Sequence, residues 1–113
     1  MLFTPTNLFQ EDAEQPWQVV GEGVRRKVLA YEPSLMLMKV AFDAGSIGAL
    51  HHHIHAQISY VESGSFEVTV GSEKRVIGTG DSFYAPSNVW HGVVCREAGV
   101  LVDAFSPMRE NFV

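Results

Sequence analysis

The chain has 113 residues, of which 46% are hydrophobic and 19% are charged, and its formal net charge is −5. This length and composition predict one soluble globular domain with its own apolar core. The negative charge argues against nucleic acid or an anionic membrane surface as a partner, and no apolar stretch approaches the roughly 20 residues that a membrane helix needs.

The first 20 residues predict an N-terminal arm or edge strand, with a short helix or irregular stretch around 7–15, ahead of a barrel domain that covers residues 21–113. This start has no basic cluster, sustained apolar run or small-residue cleavage site, so we expect no signal peptide. The single Cys95 cannot form an internal disulfide, and a cytoplasmic location is therefore expected.

From residue 21 onward, short β-rich runs alternate with glycine, proline, aspartate and serine. The basic run 25–27 is interpreted as a solvated strand end. Turns are predicted at 63–64, at 71–72 and near 97–99. Many short strands with regular turns predict an all-β sandwich or small barrel. The predicted β-rich runs cover residues 24–31, 35–42, 44–48, 58–62, 65–70, 74–78, 89–95 and 100–105.

Four of the five histidines fall within residues 51–55. His51 and His53 lie two residues apart, so both project from one side of an extended segment. Gln57 keeps that parity, and His91 follows in a distant β-rich run. Three imidazoles and an amide oxygen could surround one divalent ion, and imidazole suits zinc, copper, iron and nickel.

The histidine segment resembles the first sequence motif of the cupins. Gly45 is followed by five residues, His51-x-His53, three residues, Gln57, six residues and Gly64, with glutamine at the usual glutamate position. The resemblance implies a metal site at His51, His53, Gln57 and the later His91.

The segment 80–91 resembles the second cupin motif. Gly80, Pro86 and His91 are in place, while Asn88 stands for a glycine and Cys95 for an asparagine. Asparagine tolerates positive φ, and Cys95 is expected to be a small buried side chain. The two motifs together imply a single-domain cupin, which is a small jelly-roll barrel also described as a double-stranded β-helix.

Two histidines and the glutamine need separate interpretations. Neighbouring residues of a strand project from opposite faces, so His52 is predicted to point away from His51 and His53. Exposure to solvent or packing in a subunit interface is therefore favoured for His52. For His55 two interpretations stay open, namely a position at the rim of the pocket and simple exposure to solvent. The neutral Gln57 leaves a bound ion its full charge, which favours a Lewis acid over an iron oxygenase with two histidines and one carboxylate.

An aspartate interrupts the last apolar run. Asp103 shares a strand face with Leu101 and Phe105, and a buried, unpaired carboxylate costs several kcal/mol. It needs an edge position, a cationic partner or a catalytic role. Arg109 could pair with Asp103 or hold a substrate carboxylate, and the residues alone favour the structural ion pair.

A narrower resemblance covers residues 21–111. "GEGV.RK" (21–27), Gln57 in the first motif and "D.FSPMRE" (103–110) are similar to the KdgF-type cupins of pectin and alginate degradation. The resemblance implies metal-assisted ring opening and ketonisation of 4,5-unsaturated monouronates to linear 5-keto-4-deoxyuronates. It also implies catalytic roles for Asp103, Phe105 and Arg109, a small anionic sugar as substrate, and one divalent zinc, nickel, manganese or iron ion.

Two other functions use the same residues. A metal-dependent cupin oxidase or dioxygenase would consume oxygen, and a non-catalytic sugar-binding cupin would bind metal and ligand without turnover. On fold-level analogy we also expect a homodimer, with residues 2–9 able to exchange onto a neighbouring copy and cover an open sheet edge.

Overall fold

The computed structural model describes residues 7–113. These residues form eight antiparallel strands and two short 3-10 helices, at Asp12–Glu14 and Glu110–Phe112. Residues 2–6 of the segment expected to exchange between copies lie outside this range. No helix within the described range has the length and apolarity to cross a membrane. The strands are β1 (Gln18–Gly21), β2 (Val24–Glu32), β3 (Leu35–Phe42), β4 (Ile47–His51), β5 (Ala56–Val70), β6 (Glu73–Gly78), β7 (Ser82–Ala85) and β8 (His91–Ser106).

The strands follow the order β1-β2-β3-β8-β5-β6, with β4 added beside β8 and β7 beside β5. The two long strands β5 and β8 pair with each other and with two further strands each, so they run through both halves of the barrel. This antiparallel arrangement confirms the predicted all-β cupin fold. The N-terminal edge strand β1 spans the predicted division after residue 20, and that division stays a prediction.

The turns predicted at 63–64 and near 97–99 are wrong, because β5 and β8 continue through both positions. The β5–β8 register shifts between Val61 and Phe66, which marks a bulged and bent stretch of the pair. Gly64 has a φ of +87°, and a Cβ on Gly99 would lie 2.0 Å from the carbonyl oxygen of Ser63. The glycines thus permit a bend and a close backbone approach where a chain reversal was expected.

The core divides into two clusters. The larger one surrounds Phe42 and Phe66, whose rings meet edge to face at 5.4 Å, and it includes the buried Cys95, as expected. The smaller cluster consists of Met36, Met38, Phe105 and Met108. Phe105 also lines a cavity inside the barrel, called here the central cavity, so it belongs both to this cluster and to the cavity wall.

The basic run 25–27 is not a solvated strand end. Arg25 is exposed, but Lys27 is buried on the same face, where its ammonium lies 3.0 Å from a carboxylate oxygen of Asp12 and 4.5 Å from the ring centroid of Trp17. Arg26, on the opposite face, lines the central cavity. The N-terminal arm folds back over β2 and supplies the partner of Lys27, which local sequence pattern does not reveal.

Candidate functional site

Three segments bring the predicted ligand residues together. His51 ends β4 and pairs through its backbone with His91 at the start of β8, while the buried Gln57 lies near the start of β5. His53 lies in the loop after β4, where its carbonyl accepts a 2.7 Å hydrogen bond from the backbone N–H of Asn88. Asn88 has a φ of +63°, so asparagine adopts the positive φ anticipated at this motif glycine position.

The three imidazole rings share one orientation of their nitrogens. In His51, His53 and His91, Nδ1 lies 2.8 to 2.9 Å from a backbone carbonyl oxygen two residues away. A carbonyl can only accept, so in each neutral ring Nδ1 carries the hydrogen and Nε2 carries the lone pair. The ring centroids are 4.4 to 5.2 Å apart, and one ligand nitrogen from each ring lies within 4.8 Å of the others.

A hydrogen-bond chain turns the Gln57 amide oxygen towards this cluster. Gln57 Nε2 donates to Ser59 Oγ over 2.9 Å, and Ser59 Oγ donates to Asp103 Oδ1 over 2.6 Å. Gln57 Oε1 then faces His91 Nε2 at 3.1 Å. Because His91 Nδ1 holds the ring hydrogen, two lone pairs meet at this distance, and they repel each other unless a cation lies between them.

His53 supports the same conclusion. Its Nε2 is buried and has no hydrogen-bond partner among residues 7–113. Burial, together with the charge of Arg109, lowers the pKa of His53 to about 4, so the ring is neutral at physiological pH. Burial also lowers the pKa of His91. Neutral imidazoles are donors that suit a divalent transition metal, and an amide oxygen can complete the set.

The remaining histidines differ in position. His52 is exposed and points away from the ligands, with its ring centroid 4.4 Å from that of the exposed Trp90. His55 is half-buried, with its ring centroid 5.3 Å from that of His53. The backbone carbonyl of His55 accepts the Nδ1 hydrogen of His53, so this residue orients His53 and lies beside the predicted ligands.

Asp103 is buried on the inner face of β8, 6% exposed, between Leu101 and Phe105. Burial raises its pKa to about 6, although the Ser59 hydroxyl and the charge of Arg109 act in the opposite direction. The structural ion pair with Arg109 is wrong, because no salt bridge within the described part of the chain includes Asp103.

A cavity of about 260 Å³ connects these groups. Arg109 follows the end of β8, and its Cζ lies 5.2 Å from the ring centroid of Phe105 and 4.4 Å from that of Phe112. Burial lowers the pKa of Arg109, and the charge of Arg26 adds to this effect. His51, Gln57, His91, Asp103, Phe105 and Arg109 all line the cavity.

Three contributors to the site were not predicted from the sequence, namely Arg26 and Phe112, which line the cavity, and Ser59, which joins Gln57 to Asp103 by hydrogen bonds. Ser59 shares its strand face with Gln57 and is fully buried, so parity offered a signal for its inward direction. Arg26 and Phe112 gave no local sequence signal of this kind, because their contact joins β2 to the C-terminal 3-10 helix.

The comparisons with known proteins agree with this geometry. The family described as "Cupin domain" matches residues 38–105. The "Pectin degradation protein KdgF" of Dickeya dadantii (strain 3937) is 48% identical over 104 residues, which cover 90% of this chain and 94% of that protein.

Two solved structures are also similar. KdgF from Halomonas sp. superposes with a TM-score of 0.91 at 42% identity, over 96% of this chain and 100% of that one. An RmlC-like cupin from Shewanella frigidimarina NCIMB 400 superposes with a TM-score of 0.95 at 40% identity, over 98% of this chain and 100% of that one.

Proposed function

This chain belongs to the cupin family and, within it, to the KdgF group, and we propose that it catalyses the ring opening and ketonisation of 4,5-unsaturated monouronates. The products would be linear 5-keto-4-deoxyuronates. The Dickeya relative is named a pectin degradation protein, so pectin-derived unsaturated galacturonate is the first substrate to test, and alginate-derived monouronates are the second.

One observation carries this proposal. A buried carboxyl group whose pKa is about 6, a guanidinium group and the metal donors of His51, Gln57 and His91 all line one cavity, and the ring of His53 lies beside those of His51 and His91. Near neutral pH such a carboxyl group exists in both protonation states, which suits a group that must both give and accept a proton.

We propose that His51, His53, Gln57 and His91 hold one divalent ion, which would be zinc, nickel, manganese or iron(II). The support is the facing lone pairs of Gln57 and His91 and the partnerless Nε2 of His53. When bound, the ion would supply Lewis-acid stabilisation of charge on a substrate oxygen. The ligand set has no carboxylate that would neutralise this charge.

In the proposed reaction the ring C–O bond of the hemiacetal breaks, the anomeric hydroxyl loses its proton and becomes the aldehyde, and the ring oxygen takes up a proton and becomes an enol. The enol proton is then transferred from the oxygen to the neighbouring carbon of the double bond, which leaves the ketone. No electrons are gained or lost overall. Asp103 would be the general acid and base for this transfer. Ser59 donates to Oδ1 of Asp103, so it orients the carboxyl group and leaves Oδ2 as the oxygen that exchanges the proton.

Two neighbours of Asp103 would position the substrate. Arg109 would bind the uronate carboxylate, because a guanidinium group can offer two parallel N–H donors. Phe105 presents a ring at the cavity wall, 3% exposed, and the sugar ring would pack against it. The same ring excludes water from the Asp103 carboxyl group, which keeps its pKa high.

The direct test is the loss of absorbance of the C4=C5 double bond when purified, metal-loaded protein is mixed with unsaturated galacturonate. Asp103→Ala should keep the metal and the fold but lose most of the activity, whereas the exposed Glu73→Gln should be unchanged. No acceleration over buffer by the wild type would contradict the proposed reaction. Oxygen consumption would instead indicate an oxidase, and uronate binding without turnover a sugar-binding protein.

The homodimer and the cytoplasmic location stay predictions. The outer sheet face supports an interface between copies, since Ile58, Tyr60 and Tyr84 are about half exposed and adjacent in the β5–β7 register. A molecular mass of one chain by light scattering would contradict the homodimer.

A further inference from the structure

Arg26 is a cavity residue without a role in the proposed reaction. It lies in the middle of β2 with its backbone paired to Val40 of β3. Its strand neighbours Arg25 and Lys27 face the other side, and each forms an ion pair with an aspartate, Arg25 at 3.7 Å and Lys27 at 3.0 Å. Arg26 alone in this run points towards the cavity.

The guanidinium group of Arg26 has no anionic partner in the described part of the chain. Its Nε is buried there without a hydrogen-bond partner, and so is the Nε of Arg109. Neither side chain takes part in an ion pair among residues 7–113. Both contact the same aromatic ring, because Cζ of Arg26 lies 3.9 Å and Cζ of Arg109 lies 4.4 Å from the ring centroid of Phe112.

Two guanidinium groups around one ring repel each other, and the charge of Arg26 indeed lowers the pKa of Arg109. A cation–π contact compensates part of the desolvation, but it accepts no hydrogen bond. Among the described residues, Asp103 is the one acidic side chain that lines the cavity, and its raised pKa means that it is partly neutral near pH 6. The cavity therefore holds an excess of positive charge that an anionic ligand would balance.

We propose that Arg26 is a further substrate-binding residue, which forms a two-guanidinium site for a sugar carboxylate with Arg109, whose guanidinium group contacts the same Phe112 ring. The choice of a uronate as the anion rests on the proposed function. Each guanidinium group offers several N–H donors in one plane, so the two can share the oxygens of one carboxylate. Arg26, Arg109 and Asp103 line the same cavity, so a carboxylate held by both arginines would share that cavity with the proton-transfer group.

The site would make the protein specific for acidic over neutral sugars. The test is calorimetric binding of D-galacturonate, which lacks the reactive double bond, and of neutral D-galactose. We expect the wild type to bind galacturonate and to discriminate against galactose. Arg26→Gln should weaken galacturonate binding by about 10- to 100-fold, as expected for the loss of a charge-assisted hydrogen bond, with little effect on galactose.

Arg25→Gln is the matched control, since it removes the same charge one residue away on the opposite strand face and should leave galacturonate affinity unchanged. Arg26→Lys keeps the charge without the planar donors, and it should weaken galacturonate binding by about 3- to 10-fold and raise KM more than it lowers kcat. This variant carries the test if Arg26→Gln does not fold.

Equal galacturonate affinities for the wild type and the folded Arg26 variants would overturn the proposal, and so would a wild type that does not bind galacturonate. Failure of the proposed reaction is a separate result. In that case unsaturated galacturonate is not converted, although galacturonate still binds and still depends on Arg26.

Discussion

The buried carboxyl group of Asp103 should make the stability of the protein depend on pH in an unusual direction. Its pKa is about 6 in the folded protein and about 3.8 in the unfolded chain, so the folded state holds the proton more tightly. The resulting stabilisation is complete below pH 4 and is lost as the pH rises through 6. A difference of about two pKa units corresponds to about 3 kcal/mol of unfolding free energy.

Asp103→Asn isolates this contribution, because asparagine has nearly the same shape and its amide oxygen still accepts the Ser59 hydrogen bond. At pH 4 the wild type and the variant should have similar free energies of unfolding. At pH 7 the variant should be more stable by about 3 kcal/mol, since it no longer buries a charge.

The measurement is urea unfolding of both proteins at intervals from pH 4 to pH 8, with a chelator present so that no metal influences the carboxyl group. Histidine titrations affect both proteins alike and cancel in the difference. A difference that stays constant with pH would refute the reasoning, and so would a wild type that gains stability relative to the variant as the pH rises.

Three further predictions concern the ligand set and the backbone. Gln57→Glu should retain the metal but lower kcat by about 10-fold, which is about 1.4 kcal/mol of activation free energy, because a negative ligand weakens the Lewis acid. An unchanged kcat would show that ligand charge does not control the rate. His53→Ala should lose bound metal in elemental analysis. It should also lose the stabilisation of about 2.7 kcal/mol that metal at 100 times its Kd gives the wild type. Full retention of the metal and of this stabilisation would exclude His53 as a ligand. Gly99→Ala should lower the unfolding free energy by about 3 kcal/mol or more, because its Cβ would lie 2.0 Å from the carbonyl oxygen of Ser63. Gly78→Ala is its control, since the nearest atom there is 3.8 Å away, and it should cost about 1 kcal/mol at most.

Strand parity alone predicted much of the site. It placed Leu101, Asp103 and Phe105 on one face of the last strand, and all three are buried. It also separated His52 from His51 and His53, and the His52 ring contacts Trp90 while the other two rings meet each other and His91. The prediction for the last strand succeeds because neighbouring side chains of a strand must point to opposite faces, whatever the rest of the chain does.

Predictions about chain reversal and charge were less successful. A serine–glycine pair at 63–64 is typical of a turn, but Gly64 permits a bend within a continuous strand. The run 25–27 is typical of a solvated strand end, but Lys27 is covered by Trp17 and Asp12 from the N-terminal arm. In both cases the local sequence is compatible with two conformations, and distant contacts select between them.

The sequence by itself therefore determined the β architecture, the inward faces of the strands and the histidine pattern, because these follow from a two-residue period and from spacing. Only the tertiary structure decided which inward side chains meet. It joined Gln57 and Ser59 of β5 to Asp103 of β8, and it placed Arg26 and Arg109 on the single ring of Phe112. These contacts depend on strand register and on the path of the two termini, and no local periodicity encodes either of them.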